Sequence, residues 1–165
     1  MASLLFCFCL AGNARTTSSE AKKDTTIYDQ VEKIAEFRGG QQACYQFLSK
    51  NIQYPILCQL FHYGGRVMVQ FVVERNGKLT HIHALRQFGG KAMPEDRIVT
   101  NEEAFQYKTA YPQRSAEVHE GLNLADKLVE EAVRVVKKMP NWKPALDAEG
   151  NKVRMRMTLP VVFKP

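Results

Sequence analysis

The stretch that most restricts the fold is the closing run VRMRMTLPVVF. Here Val153, Met155, Met157, Leu159, Val161 and Phe163 alternate with Arg154, Arg156, Thr158, Pro160 and Val162. A period of two places the first set on one face of a strand and the second on the other, so one face is core and the other is wet. Pro160 interrupts the run of donors. Proline has no N–H to give a ladder and is tolerated mainly on an edge strand, so the chain is expected to end in an exposed sheet edge. An exposed edge is a place where another chain adds a strand.

A second clear strand pair precedes it. Val67, Val69, Phe71 and Val73 share one face against Arg66, Met68, Gln70 and Glu74, and Asn76-Gly77 supplies two positive-φ residues for a tight hairpin turn. Leu79 and Ile82 have opposite parity, so a bulge or twist near Thr80 is needed to return Ile82 and Ala84 to the core. Between hairpin and closing strand lies the main helix, from Leu124 to Met139. Its apolar stripe is Ala125, Leu128, Val129, Ala132, Val135, Val136 and Met139, with Glu130, Glu131, Lys137 and Lys138 outside, and Pro140 stops it.

Two shorter helices are expected earlier. Ala43, Cys44, Phe47 and Leu48 mark one ending near Lys50, and Pro55 opens another that runs to Phe61 and closes at Gly64-Gly65. Residues 27–38 are read as extended or irregular. Residues 87–121 are polar and exceed ordinary loop lengths, with Thr100 and Glu103 fitting a capping box for a short helix through Phe105 and Tyr107.

Strand direction then sets the topology. The hairpin makes the first two strands antiparallel, and a right-handed crossover through the main helix leaves the first strand in the middle. The expected fold class is α+β, a two-layer sandwich with a three-stranded antiparallel sheet of order 2-1-3, helices on one face and the C-terminal edge strand exposed.

At 165 residues the chain is long enough for one core and short for two. The formal charge of +6 is spread along the chain, with no Lys/Arg block, zinc finger or ribonucleoprotein motif, so nucleic acid is not the expected partner. Residues 1–14, MASLLFCFCLAGNA, have a short apolar stretch followed by Gly12 and Ala14 at the spacing a signal peptidase reads; a buried N-terminal strand is the alternative. The stretch is too short to span a bilayer, which needs roughly 20 apolar residues. Residues 15–26 read as a flexible polar tail.

Chemistry-bearing motifs are sparse. Gln42-Ala43-Cys44 matches the start of a thiol-protease signature, but Tyr45-Gln46 breaks the rest and no histidine precedes it, so Cys44 reads as a small core residue or as a disulfide partner of Cys58. His81 and His83 share a strand face at a spacing that suits a metal, yet lack a third ligand, and a solvated face is the plainer reading. Lys137, Lys138, Lys143, Arg154 and Arg156 are placed near one end of the sheet, either as a solvated basic face or toward an acidic partner strand. No serine elbow, P-loop or carboxylate pair is present, so no enzyme, cofactor or metal is expected.

The order of these parts resembles the C-terminal domain of TonB, the energy transducer of Gram-negative envelopes. The matching pieces are VEKIAEFRGG, ACYQFLSKNIQYP, GGRVMVQFVVERNGKL, LVEEAVRVVKKMPNWKP and VRMRMTLPVVF, which span most of residues 31–163. The resemblance implies a TonB C-terminal-like domain over residues 27–165, periplasmic and non-catalytic, linked to energy-dependent transport. Its partner would be the TonB box, a short extended segment of an outer-membrane transporter. Carried over, Asn51, Gln53, Tyr54 and Pro55 would flank that segment, Arg154 to Val162 would pair with it, and Arg156 and Thr158 would select it. The same edge face includes Pro160 and Val162. Trp142, Leu128, Ala132 and Phe71 would be core. Ala35, Arg38, Cys44, Cys58 and the length of 87–121 depart from the family pattern. The printed sequence also shows neither the membrane anchor nor the long proline-rich spacer of a full transducer, so the expectation is a domain with no direct membrane span. The alternative is a structural or homo-oligomeric module of the cell envelope, for example a homodimer, that covers the same edge with a second copy.

Overall fold

Period-two and period-3.6 stretches separate cleanly along the chain. The computed structural model, which describes residues 25–88, 91–92 and 94–165, turns them into an α+β fold. In order the elements are β1 (Ile27–Tyr28), α1 (Gly40–Asn51), α2 (Ile56–Leu60), β2 (Gly65–Val73), β3 (Leu79–Leu85), β4 (Gln87–Phe88), β5 (Lys91–Ala92), α3 (Asn101–Ala110), a 3-10 turn (Pro112–Glu117), α4 (Leu124–Lys137), β6 (Ala145–Leu146) and β7 (Lys152–Phe163). The expected signal peptide at 1–14 and nearly all of the expected tail at 15–26 lie outside the described residues.

β2 is the middle of the sheet. Val67, Val69, Phe71 and Val73 are fully buried on the core face, and Met68 and Val72 are buried on the other. The register explains the second set, because Met68 stands between Leu85 and Pro160, and Val72 between Thr80 and Arg156. β7 runs antiparallel to β2 without a break from Gly65↔Phe163 to Val73↔Met155. Its burial alternates at the two ends, with Val153, Met155, Val161 and Phe163 buried, whereas Met157, Thr158, Leu159 and Pro160 are all half-buried.

The path β3-β2-β7 has the expected order, but the sheet is five-stranded and mixed rather than three-stranded and antiparallel. β1 joins β7 in parallel, Ile27 opposite Arg154 and Tyr28 opposite Met155, and β6 adds antiparallel at Ala145↔Val153. The closing strand is therefore covered at one end instead of being exposed throughout. Two-residue strands have no periodicity to detect, and their pairing is set by residues far away in sequence.

The hairpin differs in its turn. Gly77 has φ +82° while Asn76 is not in the left-handed region. Glu74 and Lys78 close a three-residue loop, with Gly77 N–H donating to the Glu74 carbonyl at 2.7 Å and Asn76 Oδ1 accepting the Lys78 N–H at 2.9 Å. A three-residue loop of this kind needs one positive-φ residue at its end, so glycine is required and asparagine serves through its side chain. The predicted bulge is present: the register shifts between Gln70 and Val72, and His81 takes the extra place at φ +52°.

α4 packs across β2 and β3. Asn123 Oδ1 caps it by accepting the Ala125 N–H at 3.0 Å, and Arg134 and Lys137 sit in its last turn where the dipole favours cations. Leu128, Ala132, Phe71 and Trp142 are buried as expected. Trp142 meets Phe71 edge-on at 5.2 Å and Phe37 at 5.7 Å. Cys44 and Cys58 are buried free thiols, not a disulfide.

Residues 94–121 of the long insertion are folded onto the domain. Val99, Ala104, Tyr107 and Val118 are buried in the common core, the Tyr107 ring lies 6.3 Å from Phe61, and Val99 and Leu124 N–H groups donate to the Leu122 and Arg97 carbonyls. The capping box forms at α3: Thr100 Oγ1 accepts the Glu103 N–H at 3.3 Å, and Glu103 Oε2 accepts the Thr100 N–H at 2.9 Å. The Arg97 guanidinium, then the Thr100 N–H, draws the Glu103 carboxyl down to about 2. Thr100→Ala is expected to lower stability by about 1 kcal/mol in urea unfolding at pH 7. Because the folded value lies below the ordinary 4.5, this carboxylate stabilises α3 fully above pH 4.5 and less as pH falls toward 2. Amide exchange of α3 across that window checks the sign.

Candidate functional site

β7 is 12 residues long, about 40 Å at strand rise. On one side it is laddered to β2. On the other, β1 meets only Arg154 and Met155, so from Arg156 to Phe163 β2 is the one strand partner among the described residues. Pro160 lies in that half, opposite Met68, where a strand with one unpaired side tolerates the missing N–H. Thr158 and Pro160 are half-buried, and Arg156 and Val162 are exposed.

The start of the strand is braced. Arg154 donates from Nε and Nη2 to the two oxygens of Glu74 at 2.8 and 2.9 Å, and from Nη1 to the Thr25 carbonyl at 2.7 Å. The Thr80 hydroxyl also donates to Glu74, at 2.6 Å. The Arg154 hydrogen bond is the main reason that the Glu74 carboxyl sits below its ordinary pKa. Arg156 reaches outward to Asp29 at 3.0 Å.

The other end of the strand meets Tyr54. Its ring packs edge-on against Phe163 at 5.7 Å and its hydroxyl donates to the Tyr63 carbonyl at 2.9 Å. Burial, followed by the neighbouring Cys58, pushes the Tyr54 phenol up. Pro55 precedes α2 and lines a hollow of about 270 Å³ with Ile56, Leu57, Glu117 and Lys127.

Asn51 and Gln53 are held by α4 instead. The Asn51 carbonyl accepts from Arg134 Nη2 at 2.9 Å, and the Gln53 N–H donates to Glu131 Oε1 at 2.6 Å. Glu131 in turn binds Arg134 through both carboxylate oxygens, at 2.5 and 2.6 Å. The Gln53 side chain is exposed. The sequence-predicted residues therefore form no single pocket: Tyr54 meets Phe163, while Arg154 and Arg156 lie about 25 Å away along the strand.

Four residues that organise this region escaped the sequence reading: Asp29, Glu74, Glu131 and Arg134. Glu131 was expected outside, yet it is 8% exposed. A signal was available, because Glu131 is three residues after Leu128 and four before Val135, on the spacing of the apolar stripe itself.

The remaining motifs find quieter places. His81 and His83 are exposed on β3 and rim a hollow of about 160 Å³ with Ile27, Gln70, Val72 and Arg156. His83 Nδ1 lies 2.9 Å from the His81 carbonyl. Among the described residues no group of three His, Cys, Asp or Glu side chains is placed to hold a metal. Burial pushes the Cys44 thiol up and Cys58 to about 11, the opposite of an activated nucleophile. No helix among the described residues is long and apolar enough to cross a membrane. A scan against family models and searches of curated proteins and of solved structures return no match to this chain.

Proposed function

We propose that this chain is a TonB-like periplasmic domain that binds an extended peptide, the TonB box of an outer-membrane transporter, by adding it as a strand to the unpaired side of β7. The observation that carries the reading is the stretch Arg156–Phe163, which has β2 as its one strand partner among the described residues and ends beside Tyr54. Backbone hydrogen bonds to the edge supply affinity, and the outward side chains Arg156, Thr158 and Val162 supply selection. Tyr54 acts by fixing the end of the strand through Phe163. Glu131 and Arg134 act by fixing the segment from Asn51 to Gln53 that carries Tyr54.

Titration with a TonB-box peptide is expected to shift the amide signals of residues 156–163 in a ¹⁵N-labelled sample, with the core face of β2 little changed. An unchanged spectrum at millimolar peptide removes the reading. Sedimentation across a concentration series tests its rival, a second copy of the chain on the same edge: a stable dimer without peptide points to that self-association.

A further inference from the structure

Five residues before the core already behave as a guest strand. Ile27 and Tyr28 run parallel to β7 opposite Arg154 and Met155, the Thr25 carbonyl accepts from Arg154 Nη1 at 2.7 Å, and the Asp29 carboxylate meets Arg156 at 3.0 Å. Their side chains alternate as a strand requires. Tyr28 packs against the core, and Ile27 lines the hollow on the opposite face with Val72 and Arg156. The attachment is short: it includes two paired residues, both half-buried, the Arg154 bond to the Thr25 carbonyl, and an ion pair whose partners are 43% and 67% exposed. Exposed pairs of this kind add little, and short paired segments with few buried contacts open first.

We infer that Thr25–Asp29 is a tethered self-ligand. It occupies the Arg154–Arg156 end of the peptide path, and a guest reaching that end must displace it and present an acidic side chain of its own to Arg156. This rests on strand addition at β7 as proposed above and extends it to the chemistry of the guest: extended, parallel to β7, with an aliphatic and an aromatic residue followed by a carboxylate. Because the segment is covalently attached, its effective concentration is high, and an outside peptide sees only the fraction of molecules in which it is released.

The test uses the full chain carrying Ile27→Pro, which removes an N–H and a side chain from β1, and separately Asp29→Lys, which leaves Ile27 and Tyr28 packed and guards against loss of folding in the first variant. The probe is a synthetic peptide of residues 25–31, Thr-Thr-Ile-Tyr-Asp-Gln-Val. In the Ile27→Pro chain the outward amides among Arg154–Arg156 are expected to exchange about tenfold faster than in the natural chain, and in the Asp29→Lys chain, which loses only the exposed pair, about threefold faster. Millimolar probe should restore protection in the Ile27→Pro chain and leave the natural chain nearly unmoved. A probe with lysine in place of its aspartate should bind about fivefold more weakly. Unchanged exchange in both variants overturns the inference, as does equal binding of the probe to natural and variant chains or equal binding of the lysine probe. If the probe binds the Ile27→Pro chain and a TonB-box peptide binds no form, the self-ligand stands and the transporter reading falls.

Discussion

Glu131→Ala is expected to lower the unfolding free energy by about 3 kcal/mol, the order found when one member of a largely buried ion pair is removed. The carboxylate is 8% exposed and has three donors: the Nε and Nη2 groups of Arg134 and the backbone N–H of Gln53. Alanine leaves the Gln53 N–H without its acceptor and the Arg134 guanidinium without its anion. An unmade buried hydrogen bond alone costs about 1–3 kcal/mol. Glu131→Gln keeps an acceptor and removes the charge, so it should fall between the natural chain and alanine. Urea unfolding at pH 7 measures both, and an unchanged slope with a lower midpoint marks a true stability change. The alanine variant should also weaken peptide binding, because the Asn51–Gln53 segment that positions Tyr54 against Phe163 loses its hold on α4. A loss below about 1 kcal/mol would mean that the tether is not structural.

The second large effect is expected at Gly77. Its φ of +82° disfavours any other residue, and an added Cβ would stand 2.0 Å from the Trp142 carbonyl oxygen and 3.1 Å from its carbon. The Gly77 carbonyl also accepts the Trp142 N–H at 2.8 Å, so the hairpin loop is clipped to the segment that places Trp142 between Phe37 and Phe71. Gly77→Ala therefore adds left-handed strain of about 1–2 kcal/mol to the loss of that hydrogen bond and a shift of Trp142, for a total of about 3 kcal/mol or more. Gly150 is the internal control. It has the same φ of +82° and nothing within 4 Å of an added Cβ, so Gly150→Ala should show the strain alone, about 1 kcal/mol. Equal losses at the two glycines would remove the Trp142 contact from the explanation.

Both effects lie where local pattern and tertiary contact meet, and that boundary also separates what was readable in advance. The alternation of β7, the β2–β3 hairpin, the stripe of α4, the capping box at Thr100 and the bulge by His81 are signals carried within a few residues. The chain order of strand, strand, helix and strand then left the β3-β2-β7 arrangement as the natural one. The turn at Asn76-Gly77 was readable as a turn but not in its geometry, since asparagine serves equally through a positive φ or through its side chain.

The candidate site was readable only in part. Tyr54 meets Phe163 at the end of β7, and from Arg156 to Phe163 that strand has β2 as its one strand partner among the described residues. Asn51 and Gln53 are held by α4 and not by the edge, and Arg154 is engaged with Glu74 and Thr25. These contacts join residues 78 to 129 positions apart, and nothing in a local window distinguishes a glutamate that faces water from one that faces such a partner.

By itself, then, the sequence determined the elements and the faces they bury, because periodicity, capping and turn chemistry act over a few residues. Only the tertiary structure decided that Glu131 turns inward, that β1 closes one end of β7 and that, among the described residues, its other end has β2 as its one strand partner. Burying a charge or pairing two residues of strand is favourable only when distant partners complete it, and those partners meet only in the fold.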